Sequence, residues 1–202
     1  MSRRALVVET GAANTASVFA SLRRLNMEPH STRSADEIEA ASHVVLPGVG
    51  AFASAMNRIS EAGLTEALRK RIEDQKPTLA ICLGLQLLCD ASEESDGVPG
   101  LGVLPVKIRR FTHDLAVPQL GWNQIEPSRD CSLLSAGWAV FANSYYLDSV
   151  PDGWNGAFTE YGERFVSAVE RGPVLACQFH PELSGQWGQE LLGCWVQQTK
   201  SA

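Results

Sequence analysis

Apolar positions fall in two rhythms along this chain. Up to about residue 90, short continuous apolar runs alternate with stretches in which apolar residues recur every three or four positions. "RALVVE" (4–9), "SHVVLPG" (42–48) and "TLAICL" (78–83) are of the first kind and predict strands, with a further strand carrying His30. "NTASVFASLRRLN" (14–26), "AFASAMNRISEAG" with "LTEALRKRIEDQ" (51–75), and "LQLLCDA" are of the second kind and predict helices. Strands apolar on both faces, alternating with helices, imply a mostly parallel sheet covered on both sides. In such sheets ligands gather beyond the carboxyl ends of the strands. The loops that matter therefore follow Val8, Leu46, Ile81 and Phe179.

The second half changes rhythm. "GVLPVKIRRF" (102–111), "AVPQLGWNQI" (116–125), "WAVFANSYYL" (138–147), "WNGAFTEYG" (154–162), "RFVSAVERG" (164–172) and "VLACQFHPE" (174–182) read as closely spaced strands separated by Gly, Pro and Asp. A closing helix, "GQELLGCWVQQ" (188–198), would pack back onto the sheet. There is no repeat, low-complexity tract or long linker. The expectation is one α/β domain over residues 1–202: a mostly parallel central sheet flanked by helices, with an antiparallel β extension in the second half.

Composition narrows the class. The 202 residues are 45% hydrophobic and 20% charged, the balance of a soluble globular protein, and no stretch approaches the roughly 18 apolar residues of a membrane span. "MSRRALVVETG" starts as a secretory signal does, but its apolar run stops at Glu9, so a first strand is the better reading. A net charge of −6 argues against a nucleic-acid partner. The basic clusters at 3–4, 69–71 and 109–110 read as solvated faces. Five cysteines, Cys82, Cys89, Cys131, Cys177 and Cys194, lack the paired spacing of zinc sites; the odd count suits a reducing cytoplasm, and no metal or organic cofactor is implied.

One cysteine raises a chemical question. Cys82 sits where an apolar strand ends and a helix begins almost at once, with small Ala80 and Gly84 two residues to either side. Those are the sterics of a nucleophile elbow. A thiol at a helix start meets free N–H groups that favour the thiolate and would hold an oxyanion. Alone, "AICLG" is also what a buried structural cysteine looks like. Of four histidines, His30 and His43 read as structural and His113 as a loop residue. His180 follows a buried strand, with Pro181 stiffening the turn and Glu182 two residues on, placed to fix the imidazole tautomer. "LPGVGAF" (46–52) adds a glycine loop at a strand end, where Gly48, Val49 and Gly50 can present backbone N–H groups to a ligand. Together these are the layout of a Cys-His-Glu triad with an oxyanion loop.

With those residues in view, "AICLGLQLL" and "QFHPE" resemble the nucleophile and His-Glu segments of the triad-type, class I glutamine amidotransferases, whose domain is flavodoxin-like. "LPGVGAFASAM", "VPQLGWNQI", "NSYYL", "YGERFVSAVERG" and "CQFHPELSGQWGQELL" further resemble the glutaminase subunits of imidazole glycerol phosphate synthase, from about Val7 to the last helix. The resemblance implies glutamine hydrolysis by Cys82, His180 and Glu182, and an oxyanion hole from Gly48, Val49, Gly50 and the N–H of Leu83. It places Gln86, Ser144 and Tyr145 near the substrate and Asn14, Trp122, Asn123 and Leu183 toward a partner. That partner would be a (β/α)8-barrel cyclase, which takes the ammonia to make imidazole glycerol phosphate and an aminoimidazole carboxamide ribonucleotide (AICAR) in histidine biosynthesis. It also implies that the cyclase switches the site on by reshaping the "PGVG" strand.

The departures from that pattern cluster away from the triad. "ETGAAN" (9–14) replaces an Asp-Tyr-Gly-x-Gly-Asn opening, with Ala13 for a glycine. Ala80 stands for a glycine before the elbow, Gln119 and Asn143 for histidines, Val140 for a tyrosine and Leu183 for a lysine. They bear on coupling rather than on the chemistry. They leave two other readings open: a paralogue feeding ammonia to a different acceptor, as in surface-sugar amination, and a catalytically silent docking subunit.

Overall fold

The computed structural model describes residues 3–11 and 15–198. Its central strands are β1 (Arg3–Val8), β2 (Met27–Thr32), β3 (His43–Leu46), β4 (Thr78–Ile81) and β12 (Val174–Cys177). They pair in parallel in the order β2-β1-β3-β4-β12. Helices α1 (Thr15–Arg24), α2 (Ala35–Ala40), α3 (Phe52–Glu61), α4 (Thr65–Glu73) and α6 (Gly185–Val196) cover the two faces.

The apolar runs of β1, β3, β4 and β12 are continuous because these strands are covered on both faces, whereas β2, at the sheet edge, is only partly buried. On one face Leu6, Val8, Val44, Leu46 and Ala80 pack with Ile38 of α2, Phe52 and Ile59 of α3, and Leu68 and Ile72 of α4. On the other, Ala5, Val7, Val45, Leu79 and Cys177 pack with Val18 and Leu22 of α1 and Leu191, Leu192 and Trp195 of α6. Alternate residues of one strand thus feed two cores, and each fully buried aliphatic side chain contributes about 1.5–3 kcal/mol.

From β12 the sheet continues antiparallel through β11 (Glu163–Arg171), β10 (Asn155–Tyr161), β7 (Gln119–Pro127) and β8 (Gly137–Asn143). Three further strands lie off this path. β5 (Cys89–Ser92) pairs β6 (Leu104–Arg110), and β9 (Tyr145–Leu147) joins β6 to β11. The antiparallel extension is where the hydrophobic rhythm placed it.

Several local expectations are corrected. "LQLLCDA" is not one helix: α5 spans only Leu83–Leu87, and Cys89 opens β5, whose pairing with Leu104 outweighs the helical spacing. The strand expected over 138–147 breaks at Ser144 into β8 and β9, which pair with different neighbours. β12 ends at Cys177 rather than at Phe179, and a 3-10 turn, Pro181–Leu183, follows His180. Helix α2 carried a signal the periodicity overlooked, Ser34-x-x-Glu37, in which the Ser34 hydroxyl accepts the Glu37 N–H.

The basic cluster at 69–71 is only partly a solvated face. Arg71 is fully buried, donating to Thr78 Oγ1 and to the carbonyls of Ile38, Ala41, Ser42 and Pro77. It ties α4 to the segments that enter β3 and β4, and burial lowers its pKa to about 10. Asn14 and Ala13, singled out from the sequence, lie outside the described residues.

Candidate active site

The nucleophile elbow is a backbone fact. Cys82 has φ +52° and ψ −107°, a region that side chains with a Cβ rarely occupy and that costs on the order of 1–3 kcal/mol. Its N–H donates to the Cys177 carbonyl at 2.7 Å, which pins the turn to β12. Gly84 is indispensable here, since a Cβ on it would lie 2.1 Å from the Leu46 carbonyl oxygen. Gly48 is equally confined: its Cβ would fall 2.5 Å from Leu83 Cβ and 2.7 Å from the Gly84 nitrogen.

His180 reaches the thiol from beyond β12. Its N–H donates to the Val140 carbonyl at 2.8 Å, and the Ser184 hydroxyl, accepting from Val140 N–H at 2.9 Å, donates to the His180 carbonyl. This clamp ties the base to β8. The ring's Nδ1 lies 2.9 Å from Glu182 Oε1, which directs Nε2 to Cys82. Burial disfavours the imidazolium, but hydrogen bonds to Cys82 and Glu182 outweigh it and raise the His180 pKa to about 10.

A cavity of about 330 Å³ opens over this pair, lined by Val49, Gly50, Cys82, Leu83, Gln86, Glu94, Ala142, Asn143, Ser144, Tyr145 and His180. The structure thus brings together Cys82, His180, Glu182, the glycine loop, Leu83, Gln86, Ser144 and Tyr145. A larger cavity, about 420 Å³, lies at the amino ends of β1 and β3 around Arg3, Ser42 and His43, at the opposite end of the sheet from Cys82. Among the described residues no group of three or more His, Cys, Asp or Glu side chains could hold a metal ion.

The oxyanion donors differ from expectation. The Leu83 N–H is turned onto the Gly48 carbonyl at 3.4 Å, so this donor is engaged rather than free. The helix behind it has only five residues, so its dipole adds little. Gly50, at φ +108°, and exposed Val49 complete the loop.

The positions expected at a partner surface divide. Trp122 and Leu183 are 57% and 43% exposed. Asn123 points to the opposite face of β7 and donates to the Glu160 carbonyl at 2.9 Å. Leu120 and Trp138, 72% and 56% exposed, extend the apolar face beside Trp122, and sequence reading had not singled them out. Gln119 and Asn143 face each other across β7 and β8; both amide atoms of Gln119 and the Asn143 Oδ1 are buried without partners.

Two site residues were missed. Glu94 offers the pocket a carboxylate, its Oε2 accepting the Phe52 N–H at the start of α3. Gln178, fully buried, donates from Nε2 to Cys82 Sγ at 3.5 Å and accepts from Gln86 Nε2 at 2.9 Å. A polar residue just before a candidate catalytic histidine was the available signal for Gln178; Glu94 had none, because the turn after β5 brings it over α3.

A strained thiol with a carboxylate-held imidazole, at the carboxyl end of a doubly wound sheet, defines a cysteine-dependent hydrolase or acyl-transfer site. Comparison with known proteins is specific beyond that. The family "Glutamine amidotransferase class-I" matches residues 6–193. "Imidazole glycerol phosphate synthase subunit HisH" of Symbiobacterium thermophilum is 38% identical over 92% of this chain and 89% of its own. The Arabidopsis thaliana "Imidazole glycerol phosphate synthase hisHF, chloroplastic" is 40% identical over 90% of this chain and 32% of its own length. A crystal structure of a glutamine amidotransferase superposes with a TM-score of 0.77 at 22% identity, over 96% of this chain and 97% of the other, and supports the fold. The chain belongs to the class-I glutamine amidotransferases, and within them to the HisH group.

Proposed function

We propose that this chain is the glutaminase subunit of an imidazole glycerol phosphate synthase, and that Cys82, His180 and Glu182 are its triad. The carrying observation is the strained elbow thiol of Cys82 sharing one cavity with His180, whose Nδ1 Glu182 holds at 2.9 Å. Cys82 Sγ attacks the side-chain amide carbon of glutamine, the C–N bond breaks as His180 protonates the leaving nitrogen, and ammonia departs from a thioester. His180 then takes a proton from water, which attacks the thioester and releases glutamate and the thiolate. The Glu94 carboxylate suits the substrate's α-ammonium, and Gln86, Ser144 and Tyr145 suit its carboxylate end.

For the oxyanion, backbone N–H groups of Leu83 and the Gly48–Val49–Gly50 loop are the candidates. Because the Gly48 carbonyl engages Leu83 N–H, full activity requires that loop peptide to turn, and two glycines in the loop make the rotation accessible. The exposed face of Leu120, Trp122, Trp138 and Leu183 adjoins the His180 end of the site, since Val140 of β8 bridges His180 and Gly185 approaches the Trp122 ring. It suits the docking of a (β/α)8-barrel cyclase, which would draw on the ammonia in a cytoplasmic heterodimer.

The test is glutamate release by the chain alone and with a histidine-pathway cyclase and its nucleotide ligand, against Cys82→Ala. Stimulation that vanishes in the variant is the expected result. Turnover indifferent to the cyclase would send the ammonia to another acceptor, and a stable but inactive complex would leave only a docking role.

A further inference from the structure

We infer that Gln178 is a positioning residue for the Cys82 sulfur, and that Gln86 sets which end of its amide the sulfur sees. The inference rests on the glutaminase reading for its catalytic consequence, though not for its geometry. Gln178 is the first residue past β12, and its backbone N–H, donated to the Ser167 carbonyl at 2.8 Å, holds the side chain under the elbow. The side chain is fully buried, so each arm of its amide needs a partner. Gln86 Nε2 donates to Gln178 Oε1 at 2.9 Å, which leaves the Gln178 NH₂ directed at Cys82 Sγ, 3.5 Å away. An amide carries its donor and acceptor on opposite arms, so fixing the oxygen fixes the donor.

The sulfur thus meets two different partners. His180 exchanges protons with it; Gln178 cannot, and donates without competing for the proton. The titratable groups around the sulfur are His180 with Glu182 behind it, Glu94 and Tyr145 across the pocket, and the buried thiol of Cys177 on β12. None of these supplies a fixed neutral donor. An N–H directed at sulfur favours the thiolate, so its removal raises the pH at which the nucleophile forms. Gln86 also lines the pocket, so the relay joins the substrate cavity to the nucleophile.

The test follows Cys82 alkylation by iodoacetamide against pH on the full chain, with each cysteine resolved by peptide mass spectrometry. In Gln178→Leu the midpoint should rise by about one pH unit, the size of one hydrogen bond to a charged group. Gln86→Met, which frees the Gln178 amide without entering the sheet, should raise it by less. With glutamine, Gln178→Leu should lower kcat about tenfold and leave KM nearly unchanged. An unchanged midpoint in folded Gln178→Leu overturns the inference; if that variant does not fold, an unchanged midpoint in Gln86→Met does so. A shifted midpoint in a chain that releases no glutamate even with the cyclase and its nucleotide ligand would sink the glutaminase reading and leave the relay standing.

Discussion

At the scale of single residues, the pairing of Cys82 with His180 has a measurable signature. The His180 pKa, about 10 in the fold, lies above the 6.5 of an unperturbed imidazole because its hydrogen bonds to Cys82 and Glu182 outweigh burial. Cys82→Ala removes one of those partners and leaves the burial, so the His180 midpoint followed by NMR should fall; a midpoint that stays put would deny the pair. The same shift has a sign for stability. A raised folded pKa stabilises fully below pH 6.5, and that contribution fades as pH rises toward 10. Cys82→Ala should therefore flatten the alkaline decline in unfolding free energy. Residue type and spacing made Cys82, His180 and Glu182 legible in the sequence, because the strand-to-turn transitions that expose them are local. Glu94 was not legible and Gln178 showed only as a polar residue near His180, because each acquires its role through contacts with residues far away along the chain.

At the scale of elements, the site depends on how closely two turns approach. The loop after β3 lies against the elbow after β4 with no room for a methyl group at Gly48. Gly48→Ala should push the elbow away from His180, lower glutaminase kcat/KM at least about 100-fold and destabilise the fold by about 1–3 kcal/mol, as overpacking does. Steady-state kinetics and urea unfolding check both, and a fully active Gly48→Ala would refute the proposed loop geometry. Hydrophobic rhythm predicted most elements, with errors where it was ambiguous. The five residues of α5 are too few to show a period, and the apolar run through Cys89 serves a strand as well as a helix.

At the scale of the whole molecule, a histidine buried at the amino end of β3 makes stability depend on acid pH. Burial lowers the His43 pKa from 6.5 to about 4. Between those values the unfolded chain binds a proton that the folded chain refuses, so stability is full above pH 6.5 and falls by up to about 3 kcal/mol as pH drops to 4. His43→Phe should remove that part of the pH dependence in urea titrations, and an unaltered slope would contradict it. Arg71→Met, which removes the donors to four carbonyls and to the Thr78 hydroxyl, should cost several kcal/mol at every pH. The apolar face makes its own prediction. Trp122→Ala should weaken cyclase binding by about 2 kcal/mol or more in calorimetry while basal glutaminase activity persists, whereas undiminished affinity would place the partner elsewhere.

The sequence by itself determined the parallel core, the antiparallel extension, the elbow cysteine and the histidine with its carboxylate. Each of these is written in local spacing: both-face burial gives continuous apolar runs, tight turns demand small residues, and a carboxylate two positions after a histidine can reach its ring. Only the tertiary structure decided which neighbours complete them. The Gly48 carbonyl on Leu83 N–H, Glu94 in the pocket, the Gln86–Gln178 bond, the Asn123–Glu160 bond and the burial of Arg71 all join segments far apart in the chain. Contacts of that kind are set by sheet order and side-chain direction, which single-chain periodicity does not encode.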